Sequence, residues 1–289
     1  MSFESGRYNA SREPGLKLVL DAGFSCPGRC SFCDNAAFHP AYSTRSKSIS
    51  RQLDEGIAFH AARGRTEGPY LAYFQSYSNT YAPLDVLRQR YEEALSVEDV
   101  VGLVIGTRPD CIKDDILQYL ASLQDEGYLI TLELGIESFY DKTLLRINRG
   151  HTVEDSLNAI HRCADANINT TIHLILGLPG ETKANILVET DIINHLPIQS
   201  IKLHQLQILK GTVIAQEYAR HPEDFLSMNI DEYATLVAEF ISRLRKDIHI
   251  ERFASSAPSD LIIAPRWGLK PSEVQKRIEE KLIPFDRNY

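Results

Sequence analysis

Short apolar runs alternate with amphipathic stretches along most of this chain, and that alternation limits the fold more than any other feature. Lys17–Ala22, Tyr70–Tyr77, Val100–Thr107, Tyr128–Glu137, Ile168–Leu176 and Ser200–Leu209 read as strands. Ile49–Arg63, Pro83–Leu95, Asp114–Glu126, Asp141–Ile147, Val153–Ala166 and Lys183–His195 read as helices. Strands separated by helices predict a parallel sheet with right-handed crossovers. The six units, each of roughly 30 residues, fall two short of a complete (β/α)₈ barrel. The expectation is therefore an α/β fold: a partial (β/α)₆ TIM-type barrel over residues 1–211. Residues 212–289 form a C-terminal α/β extension packed on the barrel in one structural unit. That extension reads as two helices, a short strand at Ile248–Phe253 and a closing helix near Pro271–Lys281.

A chain of 289 residues with 43 % hydrophobic content can bury a substantial core without staples. Its 31 basic and 39 acidic residues leave a formal charge of −8, which disfavours a nucleic-acid partner, because counterion release needs clustered Lys and Arg. No apolar run approaches the roughly 18 residues that span a membrane. Residues 1–16 are polar and lack the apolar core of a signal peptide. The expected setting is the cytoplasm, with no membrane partner.

Period-two alternation sorts each strand into two faces. In the fourth strand Thr131, Glu133, Gly135 and Glu137 share one face, and Ile130, Leu132, Leu134 and Ile136 the other. The aliphatic set should pack under the outer helices, leaving two carboxylates for the lumen. The same rule sends Asp21, His173, Lys202 and His204 inward. Barrel interiors are ordinarily filled with branched aliphatics, and buried ionisable groups are costly unless paired or bound. Two readings stay open: internal ion pairs, such as Glu133 with Lys202, or a lumen that holds a polar ligand.

Cys26, Cys30 and Cys33 form C-x₃-C-x₂-C directly after the first strand. In parallel barrels that is the face on which active sites are built. Thiolates suit iron–sulfur clusters and zinc. A cubane cluster normally takes four Cys, so three would leave one iron open to another ligand. Zinc on three Cys plus His39 is the alternative. Cys111 and Cys163 stand alone and read as small buried side chains.

The triplet, with Phe32 before its last Cys and a βα series behind it, resembles the radical S-adenosylmethionine (SAM) superfamily. LDAGFSC, YFQSYSNTYAP, GTRPDC, LELGIES, INRGHT, LILGLPGET, KLHQLQILKGT and APSDLIIAPRWGLKP are similar to the YhcC-like subgroup, related to the catalytic subunit of Elongator. One difference is the short spacer Pro27-Gly28-Arg29 between the first two Cys, where that subgroup carries a longer Gly-rich insertion. The resemblance implies a [4Fe-4S] cluster on Cys26, Cys30 and Cys33, with SAM chelating the open iron. Reductive cleavage of SAM then yields a 5′-deoxyadenosyl radical that abstracts hydrogen. It implies SAM contacts at Phe32, Gln75, Tyr77, Ser78, Glu137, Arg149, His173 and Gly177, and a flavodoxin- or ferredoxin-type electron donor.

By resemblance Arg149 would pair with the SAM carboxylate, which a guanidinium fork matches. Arg108 and Asp110 end the third strand, where an ion pair that shapes the site and direct substrate contact both stay open. Lys210-Gly211-Thr212 ends the sixth strand, where a substrate-facing role is the expectation. Glu133, His173, Lys202 and His204 are the expected catalytic set. Their mix of donors and acceptors suits a small polar heterocycle, since carboxylates accept from the N–H edge of a guanine-like ring. The most specific reading is a queuine lyase, acting on a deazaguanine. The alternatives are a tRNA-base-modifying radical SAM enzyme and a non-catalytic metal-binding barrel.

Overall fold

The computed structural model describes residues 15–34, 40–65, 68–255 and 257–286, so His39 lies outside the described residues. Seven parallel strands form one curled half-barrel. They are β1 (Leu16–Leu20), β2 (Tyr70–Phe74), β3 (Val100–Thr107), β4 (Leu129–Glu137), β5 (Asn169–Leu176), β6 (Ser200–Gln205) and β8 (His249–Arg252), adjacent in that order. Helices α1 (Ile49–Ala61), α2 (Leu84–Leu95), α3 (Asp114–Asp125), α4 (Asp141–Arg146), α5 (Val153–Asp165) and α6 (Lys183–Ile193) connect the first six strands. Helices α7 (Val213–Arg220) and α8 (Ile230–Arg243) lead to β8, and α9 (Pro271–Asp286) packs against α8.

Two features differ from the sequence expectation. The stretch Ser200–Leu209 is two strands: β6 stops at Gln205, and Ile208–Leu209 (β7) pairs antiparallel with Ile262–Ala264 (β9) in a separate small sheet. The strand expected in the extension completes the main sheet, with Ser200 opposite His249 and Ile201 opposite Ile250. Apolarity alone carries no information about which sheet a run joins.

The face assignment on β4 holds. Ile130, Leu132, Leu134 and Ile136 are buried among residues of the outer helices, including Ile116, Leu120 and Ile160. Glu133, Gly135 and Glu137 line the concave side instead. Five of the helices, α1, α5, α6, α7 and α8, start where a side chain accepts a free backbone N–H group. Thr152 and Asp155 form a reciprocal capping box on α5, as do Thr182 and Asn185 on α6 and Asn229 and Glu232 on α8. These caps fix where each helix leaves the rim of the half-barrel, and so where the site loops begin.

Candidate active site

A cavity of about 1370 Å³ fills the concave side. Cys26, Cys30 and Cys33 line it beside Phe32, Gln75, Tyr77, Ser78, Glu137 and Arg149. Lys17, Tyr73, Glu133, His173, His204 and Glu251 line it as well.

The cysteine loop rests on two buried arginines. Arg149 Nη1 lies 3.3 Å from Cys30 Sγ, and its Nη2 donates to Gly135 O at 2.6 Å and faces Glu137 Oε1 at 3.4 Å. A Cβ on residue 135 would stand 2.5 Å from Arg149 Nη2, so that approach needs glycine. Arg108 donates from Nε and Nη2 to both Asp110 oxygens, at 2.9 and 2.8 Å, which is the ion-pair reading. A Cβ on Gly150 would lie 2.9 Å from Arg108 Nη2. Ser78 Oγ sits 3.5 Å from Cys26 Sγ.

Burial, then the neighbouring Cys30 and Cys26, push the Cys33 thiol up to about 12, with Arg149 opposing. Three thiolates this close need positive charge among them, which bound metal supplies. Among the described residues, no three His, Cys, Asp or Glu side chains converge on a point that one ion could occupy. A cubane binds each Cys to a different iron and requires no such point, so the donor set fits a cluster better than a lone zinc.

Two strand ends are strained at the cavity wall. Tyr77 has φ 67° and Glu137 φ 72°, in the left-handed region that costs a non-glycine residue about 1–2 kcal/mol. Glu137 owes this to an irregularity in the β4–β5 ladder, where Gly135 pairs with His173 and Glu137 with Leu174. The distortion turns the end of β4 toward Arg149.

At the floor, both oxygens of Glu133 are taken. Lys17 Nζ at 3.0 Å and Lys202 Nζ donate to Oε1; Tyr73 OH at 2.6 Å and His173 Nε2 at 3.1 Å meet Oε2. Burial acts to raise the Glu133 carboxyl, but Lys202 and Lys17 hold it well below the usual range. Glu251 meets Lys17 at 2.7 Å and Lys202 at 3.6 Å, and accepts from Thr171 Oγ1 at 3.1 Å. The internal ion-pair reading of Glu133 and Lys202 therefore describes them as they stand. Lys202 does not line the cavity itself; it meets Glu133, Tyr73 and Glu251, which do. Unused capacity lies elsewhere, at the buried and unpartnered His204 Nε2 and Gln207 Oε1. His204 Nδ1 is 2.7 Å from Ser255 Oγ, and Arg252 also lines the cavity.

Five expected residues, at three places in the chain, sit apart from this arrangement. Gly177 lines a second, small pocket with Leu226, Met228 and Trp267. Asp21 follows the end of β1 and accepts from Gly23 N at 2.9 Å. Thr212 caps α7 by accepting from Ala215 N, and Lys210, Gly211 and Thr212 are not among the residues that line the cavity. Sequence reasoning missed Lys17, Tyr73, Gln207, Glu251 and Arg252. The alternation that points Asp21 inward also covers Lys17, so that signal was present. Tyr73 lies in an unbroken apolar run, and Gln207 in the break between β6 and β7, where period two fails. Cys163 is fully buried in the apolar core and Cys111 is 5 % exposed, as expected of lone small side chains.

The chain matches the model of the Radical SAM superfamily over residues 22–188 and that of the Radical_SAM C-terminal domain over residues 198–283. It is 34 % identical to YtqA of Bacillus subtilis over 280 residues, covering 92 % of this chain and 84 % of YtqA. It is 36 % identical to YhcC of Escherichia coli over 259 residues, covering 87 % and 82 %. Its fold is similar to that of an archaeal Elp3 from Methanocaldococcus infernus solved with an N-terminal deletion. The TM-score is 0.70 at 17 % identity, over 92 % of this chain and 63 % of that one.

Proposed function

This chain belongs to the radical SAM superfamily, whose enzymes use a [4Fe-4S] cluster and SAM, and on that premise we propose that it acts on a small polar heterocycle bound at the cavity floor. The observation that carries the reading is one cavity lined both by the cysteine triplet with Arg149 and by a polar floor with unpartnered groups.

Cys26, Cys30 and Cys33 would hold the cluster, and when bound the cluster and SAM supply a 5′-deoxyadenosyl radical. Arg149 would pair with the SAM carboxylate; its Nε is buried without a partner. Gln75, Tyr77, Ser78 and Glu137 flank that position. The floor recognises the substrate through groups that are not already committed. Gln207 Oε1 accepts from a ring N–H. His204, neutral because burial holds it well below the usual histidine range, meets a ring donor or acceptor according to its tautomer. Arg252 donates to a carbonyl. Glu133 acts as the fixed anion that keeps Lys17, Lys202, Tyr73 and His173 in place.

The most specific substrate is queuine, whose deazaguanine ring offers a lactam edge. The electron donor is of flavodoxin or ferredoxin type, and the compartment is the cytoplasm. No helix among the described residues is long and apolar enough to cross a membrane. The test is anaerobic turnover with a one-electron reductant, SAM and queuine. A deazaguanine product, formed with 5′-deoxyadenosine, is the expected result. 5′-Deoxyadenosine formation that queuine leaves unchanged, with no new product, removes this substrate. Stimulation by tRNA alone would replace it with base modification in tRNA.

A further inference from the structure

Arg108 follows the end of β3, and its neighbours fix it there. Thr80 Oγ1 lies 2.6 Å from Thr107 Oγ1 and donates to Cys111 O at 2.8 Å, while Cys111 N donates to Arg108 O at 3.1 Å. The side chain of Arg108 is 4 % exposed and lines the cavity beside the cysteine loop. Its Nε and Nη2 both go to Asp110, and that fork sets the plane of the guanidinium. Nη1 is left over: it is buried and has no hydrogen-bond partner. It faces the loop, because a Cβ on Gly28, between Cys26 and Cys30, would stand 3.6 Å from it. His151 does not compete for Asp110. Its Nδ1 stays 4.0 Å from Asp110 Oδ1, and burial, then the Arg149 charge, push the ring down to about 4, so it is neutral. Nearly all buried donors in folded chains are paired, so an unpaired cationic N–H facing a loop of three cysteines points to an acceptor that the loop itself holds when loaded.

We propose that Arg108 donates from Nη1 to a sulfur of the cluster bound by Cys26, Cys30 and Cys33, and so sets the potential at which that cluster accepts its electron. The proposal rests on the radical SAM reading above. In the step itself one electron enters from the flavodoxin- or ferredoxin-type donor, and no bond forms or breaks. The sulfurs gain negative charge. A hydrogen bond from a cation stabilises them more after reduction than before, so the potential rises. Arg149 already serves Cys30 Sγ from its own Nη1 at 3.3 Å, and Arg108 is the second such donor. Asp110 opposes the rise, because it offsets the charge of Arg108 while holding the guanidinium in place. The two members of one ion pair therefore pull the potential in opposite directions, which a purely structural pair does not do.

The test is a potentiometric titration followed by electron paramagnetic resonance, on the anaerobic full-length chain with reconstituted cluster and no SAM. Iron and sulfide are matched in every sample. Arg108→Gln should lower the equilibrium constant for reduction about tenfold, roughly 59 mV toward more negative potential for one electron. Asp110→Asn, which keeps a carbonyl oxygen for the guanidinium, should move the midpoint the other way. Arg108→Lys should recover part of the loss, since it restores the charge but not the fork. A native chain grown on guanidino-¹⁵N arginine should show two ¹⁵N couplings to the reduced cluster, one each from Arg108 and Arg149, which decides the matter if a variant fails to hold iron. An unmoved midpoint in Arg108→Gln, shifts of the same sign in Arg108→Gln and Asp110→Asn, or a native chain with fewer than two couplings overturns the proposal and leaves the function reading standing. If native protein takes up no cluster, both fall.

Discussion

Arg149 reaches the cysteine loop only because residue 135 has no side chain. The guanidinium is buried, with contacts to Cys30, Gly135 and Glu137, and its Nε has no hydrogen-bond partner. Arg149→Ala should remove a charge-assisted bond of about 1.5–3 kcal/mol. SAM affinity should fall roughly 10- to 150-fold with iron content unchanged, and calorimetric titration showing unaltered binding would contradict the assignment. Replacing any one of Cys26, Cys30 or Cys33 by Ala should abolish 5′-deoxyadenosine formation and strip iron and sulfide, since metal binding is coupled to local folding. A single-Cys variant with full iron content would refute the ligand set. At this scale the sequence was informative wherever chemistry follows spacing. The Cys triplet was legible because ligands must cluster, and Arg149 because a motif carried it. The commitment of Glu133 to four donors was not legible. Alternation places a side chain on a face, but it cannot say which partners from four other positions will saturate it.

Between β4 and α6 the chain buries two carboxyls close together. Glu181 Oε1 accepts from Ser138 Oγ at 2.6 Å, and Glu189 Oε1 accepts from Phe139 N at 2.9 Å. Burial pushes Glu181 up to about 7; burial and then the Glu181 charge push Glu189 up to about 8. An unfolded chain releases these protons near 4.5, while the folded chain keeps them until about 7 and 8. The folded state therefore binds more protons across that window, and stability falls as pH rises through it. Glu189→Gln should flatten this fall. The check is the denaturant midpoint of native and variant protein near pH 5 and near pH 8, and parallel slopes for the two proteins would defeat the prediction. The elements themselves were largely readable, because strands of apolar residues and helices with Thr or Asn caps announce themselves locally. The split at Leu206 and Gln207 was not, since it follows from Ile208–Leu209 finding a partner more than fifty residues later.

A seven-stranded parallel sheet that stops short of closure leaves β1 and β8 as its two edges. In a full barrel those edges would meet through backbone hydrogen bonds; here side chains span the opening. Lys17 on β1 donates to Glu251 on β8 at 2.7 Å and to Glu133 on β4 at 3.0 Å, so one ammonium ties the first strand to the last across the lumen. Burial acts to lower Lys17, but Glu133 and Glu251 hold it above the usual lysine range, so the tie stays charged. The side chain of Lys17 is 15 % exposed and that of Glu251 7 %, so screening weakens the tie only in part. Removing one partner strands the other charge in a nearly dry site, whereas removing both does not. Lys17→Met should therefore cost about 2–3 kcal/mol, the worth of charged hydrogen bonds lost from a mostly buried site. Glu251→Gln should cost somewhat less, because Thr171 can still donate to it. The double variant should cost less than the sum of the two by about 1 kcal/mol or more, as coupled neighbours do. Denaturant unfolding of all four proteins measures that difference directly. If the two costs simply add, the edges are held by packing of α1 and α9 alone and the Lys17–Glu251 tie contributes nothing to closing the half-barrel.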